Sequence, residues 1–250
     1  MNLDSLVTHT WFVLPVAALL FGVLALAPLG TQVLTRGVVF IDLAVAQAAA
    51  AAALWAGALV DHPSWLMAQA LAIAGALACS AAVAMLSQRW PSQREALIGL
   101  LYVLGASVAL LGARQDPHGR ERMSELLAAD VLWAQWPQVG LMALCALVVL
   151  LLGSKLRRDG LFYPVFACVV SLAVPVLGLF LVFATLIAPA LWQHAGLSRT
   201  TAWAGALTAC AFGLTASWWF DAPSGACVAL TLSVYGALSA LYGNRRTNSP

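Results

Sequence analysis

Asp42 is the one ionisable side chain in the apolar stretch from Val38 to Val60. An ionised carboxylate inside a membrane helix costs roughly 3 kcal/mol even on lenient insertion scales, so such groups usually face a partner, a cavity or a transport path. The alternative is a carboxylate near enough to its helix end to reach headgroup water or to pair with Arg36. On a regular helix Asp42, Ala46, Ala49, Ala50, Ala53 and Gly57 share one side. Small residues let a second backbone come close, which turns the carboxylate into protein rather than lipid. Gln47 lies about 140° round from Asp42. The two could hold one ion if the helix were distorted or another helix completed the site; otherwise Gln47 reads as an interhelical hydrogen-bonding group. His194, after Pro189, offers an imidazole to a metal or is an ordinary interfacial histidine.

Other chemistries lack their residues. An intramembrane zinc protease needs two histidines four apart with a glutamate beside the first, and the histidines at 9, 62, 118 and 194 have no such arrangement. Ser224 in Pro223-Ser224-Gly225 reads as the start of a helix rather than as a nucleophile. A phosphate-binding loop needs Gly-Lys-Ser/Thr, but the single lysine, Lys155, follows Ser154. Any ATP-driven work therefore falls to a separate subunit, and the chain itself is not expected to be an enzyme or to bind a cofactor. Cys79, Cys145, Cys168, Cys210 and Cys227 lie in apolar stretches without Cys-x-x-Cys spacing and read as small core residues. No basic run exceeds the Lys155 to Arg158 cluster, so nucleic acid is not an expected partner.

The elements that position these groups are membrane helices. Hydrophobic residues make up 62% of the 250 and charged residues 9%, a balance foreign to soluble domains. The expectation is an all-α polytopic membrane protein, one transmembrane domain over residues 1–250 with short loops and no room for a soluble catalytic domain. Apolar runs at 10–30, 38–60, 65–87, 95–113, 137–153, 163–191, 200–220 and 223–243 give about eight transmembrane helices. The run at 163–191 carries Pro164, Pro175, Gly178 and Pro189, as a broken helix or a helix plus a re-entrant piece would. Between Arg114 and Trp136 the sequence reads as a loop leading to a short interfacial helix over Leu126 to Trp133, or as a plain connector.

Met1 to Thr10 lacks the basic residues of a secretory signal, so the first apolar segment is expected to persist. With Arg36 after the first helix, the amino terminus is expected outside. Eight spans then place Arg36, Arg89, Arg94, Lys155, Arg157 and Arg158 inside, and Arg114, Arg120, Arg122, Arg199, Arg245 and Arg246 outside. That is a tie, which one more helix would break by moving the tail inside.

Three stretches together resemble the metal-type permease family of ABC importers: Arg36-Gly37-Val38-Val39-Phe40-Ile41-Asp42, the run from Val176 to Ala190, and Asp221-Ala222-Pro223-Ser224-Gly225-Ala226. Ile98 to Tyr102 and Leu127 to Leu132 fall in the expected order. The resemblance implies a permease in a bacterial inner membrane that moves zinc, manganese or iron, working with a separate ATPase, an extracellular or periplasmic binding protein and a second permease copy. It also implies that the cytoplasmic loop over about 153–163, with Lys155, Arg157, Arg158 and Asp159, docks on the ATPase. The family commonly has a histidine four residues after the second-helix aspartate, where this chain has Ala46. A lone carboxylate suits zinc poorly, since zinc takes about four N, S or O ligands. It fits a harder cation such as manganese, a transient stop along a path, or a metal chelate as cargo. A secondary transporter that couples Asp42 protonation to transport is the reading from another class.

Overall fold

The structure, a computed structural model, describes residues 3–59, 64–115, 119–127 and 129–247. The described residues form ten α-helices: α1 (Leu3–Arg36), α2 (Ile41–Leu59), α3 (Trp65–Arg89), α4 (Arg94–Ala113), α5 (Gly119–Leu127), α6 (Trp136–Leu152), α7 (Asp159–Leu177), α8 (Leu179–His194), α9 (Arg199–Phe220) and α10 (Ser224–Thr247). Tight 3-10 turns at Val131–Trp133 and Gly153–Arg157 precede α6 and α7. Among the described residues six helices are long and apolar enough to cross a membrane; α2 and α8 carry shorter apolar segments.

Local chemistry sets the helix boundaries. Ser64 and Ser198 accept hydrogen bonds from the first-turn amides of Met67 and Thr201 and so start α3 and α9. Gln135 and Gln138 cap each other's backbone at the start of α6, where Pro137 needs no amide partner. The long run at 163–191 is two helices. Gly178 sits between them at φ 79°, a conformation that a side chain would strain, and the preceding Pro175 weakens the end of α7.

Helix direction follows from contacts along α1. Gly22 lies against Leu177 at the end of α7, while Gly30, about two turns further on, lies against the backbone of Leu186 in α8. α8 therefore runs alongside α1 toward Arg36. At the start of α10, Gly225 lies against the carbonyls of Ala129 and Leu177, and Gly236 then packs on Ala188, so α10 runs the same way. α9 returns between them, tied to α10 by Tyr235 Oη donating to the Ala202 carbonyl at 2.9 Å and Thr231 Oγ1 donating to the Ala209 carbonyl at 2.9 Å.

With α7 and α8 as separate helices, nine helices run along the bundle where about eight were expected, and the tail comes to the Arg36 side by backbone position. By backbone position Arg36, Arg89, Arg94, Lys155, Arg157, Arg158, Arg199, Arg245 and Arg246 now share one side. Arg114, Arg120 and Arg122 are left on the other. The tie becomes nine against three, the bias that the positive-inside rule expects of an inner side, so the Arg36 side is taken as inner. The connector on the outer side is also corrected, since its helix is α5 at Gly119–Leu127 rather than a segment beginning at Leu126. Trp133 and Trp136 are exposed there, as side chains at a headgroup level are.

α1 and α7 are the most enclosed of the long helices and form the centre of the bundle, whereas α3 and α4 turn much of their surface outward. Side chains from both central helices, among them Leu26, Leu29, Phe162 and Phe166, are fully buried in one continuous core.

Candidate functional site

Asp42 occupies the first turn of α2, where the helix dipole favours a negative charge. It is 1% exposed, and neither carboxylate oxygen has a hydrogen-bond partner. The amides of Asp42 and Leu43 lie near it without completing hydrogen-bond geometry. Arg36 is not its partner, which overturns the reading of an Asp42–Arg36 pair. The Arg36 guanidinium instead reaches Asp159.

One turn beyond Asp42 the small face of α2 borders a cavity of about 100 Å³ between α2, α3 and α7. Ala46, Ala49, Ala50 and Ala53 line it from α2, Gln69 from α3 and Ser171 from α7. Trp65 and Leu126, from the outer ends of α3 and α5, border it as well, so the cavity belongs to the outer half of the bundle. Four of the residues that helical spacing groups with Asp42 thus share one lining, of which Asp42 itself is not part. Asp42 lies deeper, toward the inner side.

The other metal candidates are not gathered around Asp42. Gln47 points toward α4, where Gly105 leaves room for it, and its Oε1 is buried without a hydrogen-bond partner. His194 is exposed at the inner end of α8. Among the described residues no three His, Cys, Asp or Glu side chains lie close enough together to hold a metal ion. His62 and His118 lie outside the described residues. All five cysteines are unpaired and buried or half-buried in helices.

The basic loop at the inner side is built around Arg36. Its Nε donates to Asp159 Oδ1 at 2.9 Å, and its Nη2 donates to the carbonyls of Leu156 at 3.1 Å and Arg157 at 2.8 Å. Nη1 donates to Gln32 Oε1 at 2.9 Å, and the guanidinium stacks over Phe162 at 4.2 Å. Leu156 is buried, while Lys155, Arg157 and Arg158 are exposed. One hinge carries both sites: Arg36 ends α1, Gly37 at φ 60° turns the chain, and Asp42 follows in α2. Glu95 holds that hinge from α4, its Oε1 accepting from the Val39 amide at 2.7 Å. Sequence reasoning missed both partners, since Asp159 is 123 residues from Arg36 and Glu95 is 56 from Val39.

At the outer side Ser224 is fully buried at the start of α10, and its hydroxyl donates to Asp130 Oδ1 at 2.5 Å. The same Asp130 oxygen accepts from the Leu132 amide. This is the structural helix start read from Pro223-Ser224-Gly225, and the pair binds the loop before α6 to the last helix.

Fold and site together describe a multi-pass membrane protein with an exposed basic loop beside the end of α1. Residues 157–242 match the model of the ABC 3 transport family, a segment that begins in that loop and extends through most of α10. The whole chain has the fold of the solved structure "PsaBC from Streptococcus pneumoniae in complex with Fab", with a TM-score of 0.71, 15% identity, and coverage of 94% of this chain and 93% of that chain. At this identity the likeness is one of fold. No curated protein matches the chain. The resemblance to metal-type ABC permeases is thus met by the family model over the last third of the chain and by the fold over nearly all of it. Asp42 lies outside the matched segment, so its role is argued from geometry.

Proposed function

We propose that this chain is the membrane permease of an ATP-driven importer for a divalent metal ion, zinc, manganese or iron. It works with a separate ATPase, a binding protein outside and a second permease copy, in a bacterial inner membrane. The observation that carries the reading is Asp42, a fully buried carboxylate without a partner, one turn below a cavity lined by the small face of its own helix. A buried charge of this kind is expensive in a membrane, and path residues are the usual reason for one.

The remaining parts follow from the hinge. Lys155, Arg157 and Arg158 offer a positive surface to the ATPase, and Arg36 carries movement of that loop into α1 and the turn before Asp42. Alternating access then consists of opening the cavity outward to receive cargo and opening the Asp42 level inward to release it. Gln47 packs against α4, and His194 belongs to the inner surface.

The test is elemental analysis of cells expressing the chain with its ATPase and binding protein, wild type against Asp42→Ala. The expected result is loss of accumulation of one metal in the variant at unchanged protein level. Absence of metal accumulation in wild type would sink the free-ion reading. Uptake abolished by a protonophore at preserved ATP would move the protein to the proton-coupled class.

A further inference from the structure

We infer that Gln69 is a positioning residue, the latch of a hinge in the outer part of α7, and that this hinge opens the crevice between α2, α3 and α7 to the outside. The inference rests on the import reading and assigns the segment that moves on the outer side of the bundle.

Pro175 has no amide hydrogen, so the carbonyl four residues before it, that of Ser171, loses its partner within α7. In a membrane a carbonyl freed in this way is satisfied from a side chain or a neighbouring helix. Gln69 of α3 does this, with its Nε2 donating to the Ser171 carbonyl at 3.4 Å. The Ser171 hydroxyl is engaged elsewhere, donating to the Cys168 carbonyl at 3.0 Å. Among the described residues no side chain does the same for the carbonyls of Leu24 and Thr185, which lose their helical partners to Pro28 in α1 and Pro189 in α8.

A bond that belongs to two helices lasts only while they stay together. Further in, α3 grips α7 again, where Ser80 Oγ donates to the Tyr163 carbonyl at 2.8 Å. That bond is buried and of ordinary length, whereas the one at Gln69 exceeds the usual N–H···O limit of about 3.2 Å. α3 and α7 are therefore pinned at the inner level and loosely joined at the outer one. Beyond Ser171, Val174 and Pro175 themselves line the crevice. The segment ends at Gly178, whose φ of 79° makes a second joint before α8. Residues 174–177 thus lie between two weak points of the backbone. Swinging them away from α3 breaks the Gln69 bond and widens the crevice beside Trp65 and Leu126, its outer border.

The test uses intact cells expressing the complete transporter, with the chain made cysteine-free except for Ala53→Cys in the crevice wall. It reads the rate at which a membrane-impermeant maleimide labels that position from outside. Gln69→Leu removes the latch and is expected to raise the rate about fivefold, as loss of one ordinary hydrogen bond implies. Pro175→Ala returns an amide to the helix, so it is expected to lower the rate by a similar factor and to make Gln69→Leu silent when the two are combined. A Gln69→Leu effect of the same size with and without Pro175→Ala overturns the hinge, because the amide then acts on something other than the freed carbonyl. So does an absence of labelling in every variant, or a Pro175→Ala rate at or above wild type at equal protein level. If Gln69→Leu alone fails to accumulate, the double variant is expected to accumulate, since its Ser171 carbonyl is satisfied within α7; failure of both overturns the inference. Zinc, manganese and iron contents are measured on the same cells. Wild-type cells that gain none of the three remove the import reading, whereas the labelling rates still decide the hinge.

Discussion

Arg36 and Asp159 pair at 2.9 Å and join the last residue of α1 to the first of α7. The guanidinium side chain is 13% exposed and the carboxylate 53%, so the pair is solvent-screened and worth less than about 1 kcal/mol. Most of the hold comes from the two loop carbonyls and the Phe162 ring that the same guanidinium engages.

Removing either partner should therefore have unequal effects. Asp159→Asn is expected to leave transport within about twofold of wild type, as a screened pair implies. Arg36→Ala removes charged hydrogen bonds that are each worth roughly 1.5–3 kcal/mol and frees the loop from α1. It should abolish transport while the assembled ATPase still hydrolyses ATP. Parallel measurement of uptake and phosphate release checks this, and equal losses in both variants would argue against Arg36 as the link.

The nine-pass arrangement puts Ser198 and Thr247 on the inner side and Gln115 on the outer. In a cysteine-free background, a membrane-impermeant maleimide added to intact cells should label Gln115→Cys and leave Ser198→Cys and Thr247→Cys unreacted until the membrane is opened. Labelling of Thr247→Cys in intact cells would restore an even number of passes.

Composition made the helices legible, and 3.6-residue spacing made the small face of α2 legible, because both are local patterns in the chain. The break in the run at 163–191 was legible from Pro175 and Gly178, but a second full pass was not, since no polar loop separates the two halves. The length of the run was the available signal: at 1.5 Å per residue, a single helix there would be about 43 Å long, well beyond a hydrocarbon core of about 30 Å. The links from Arg36 to Asp159 and from Val39 to Glu95 join residues far apart in sequence, which no periodicity can reveal. The cavity pair Gln69 and Ser171 was missed for a similar reason. Each looks like an ordinary polar residue in its own helix, and only the packing of α3 on α7 sets them side by side.

Close approach of α1 to α8 gives a stability prediction. A methyl group on Gly30 would collide with the Leu186 backbone carbonyl, whereas one on Gly99 or Gly140 would meet open space. Gly30→Ala should lower stability by about 1–3 kcal/mol, the usual cost of overpacking. Gly99→Ala should be neutral or slightly stabilising, because alanine is the better helix former. Thermal melts of the purified protein in detergent distinguish them. Equal melting points for the two variants would mean that α1 and α8 are not packed this closely.

Asp42 should show opposite effects on stability and function. A buried carboxylate without a hydrogen-bond partner is a cost to the folded state, and replacing it with an apolar side chain of similar size removes that cost. Asp42→Leu is therefore expected to raise the melting temperature of the isolated permease while abolishing metal uptake. Asp42→Asn keeps the shape but not the charge, and should lose uptake with little change in melting. A path residue predicts this separation, as active groups are commonly held at the expense of stability. A structural role predicts the reverse, with Asp42→Leu melting earlier and uptake falling in step with the amount of folded protein. Measuring both quantities on the same preparations decides between the two roles.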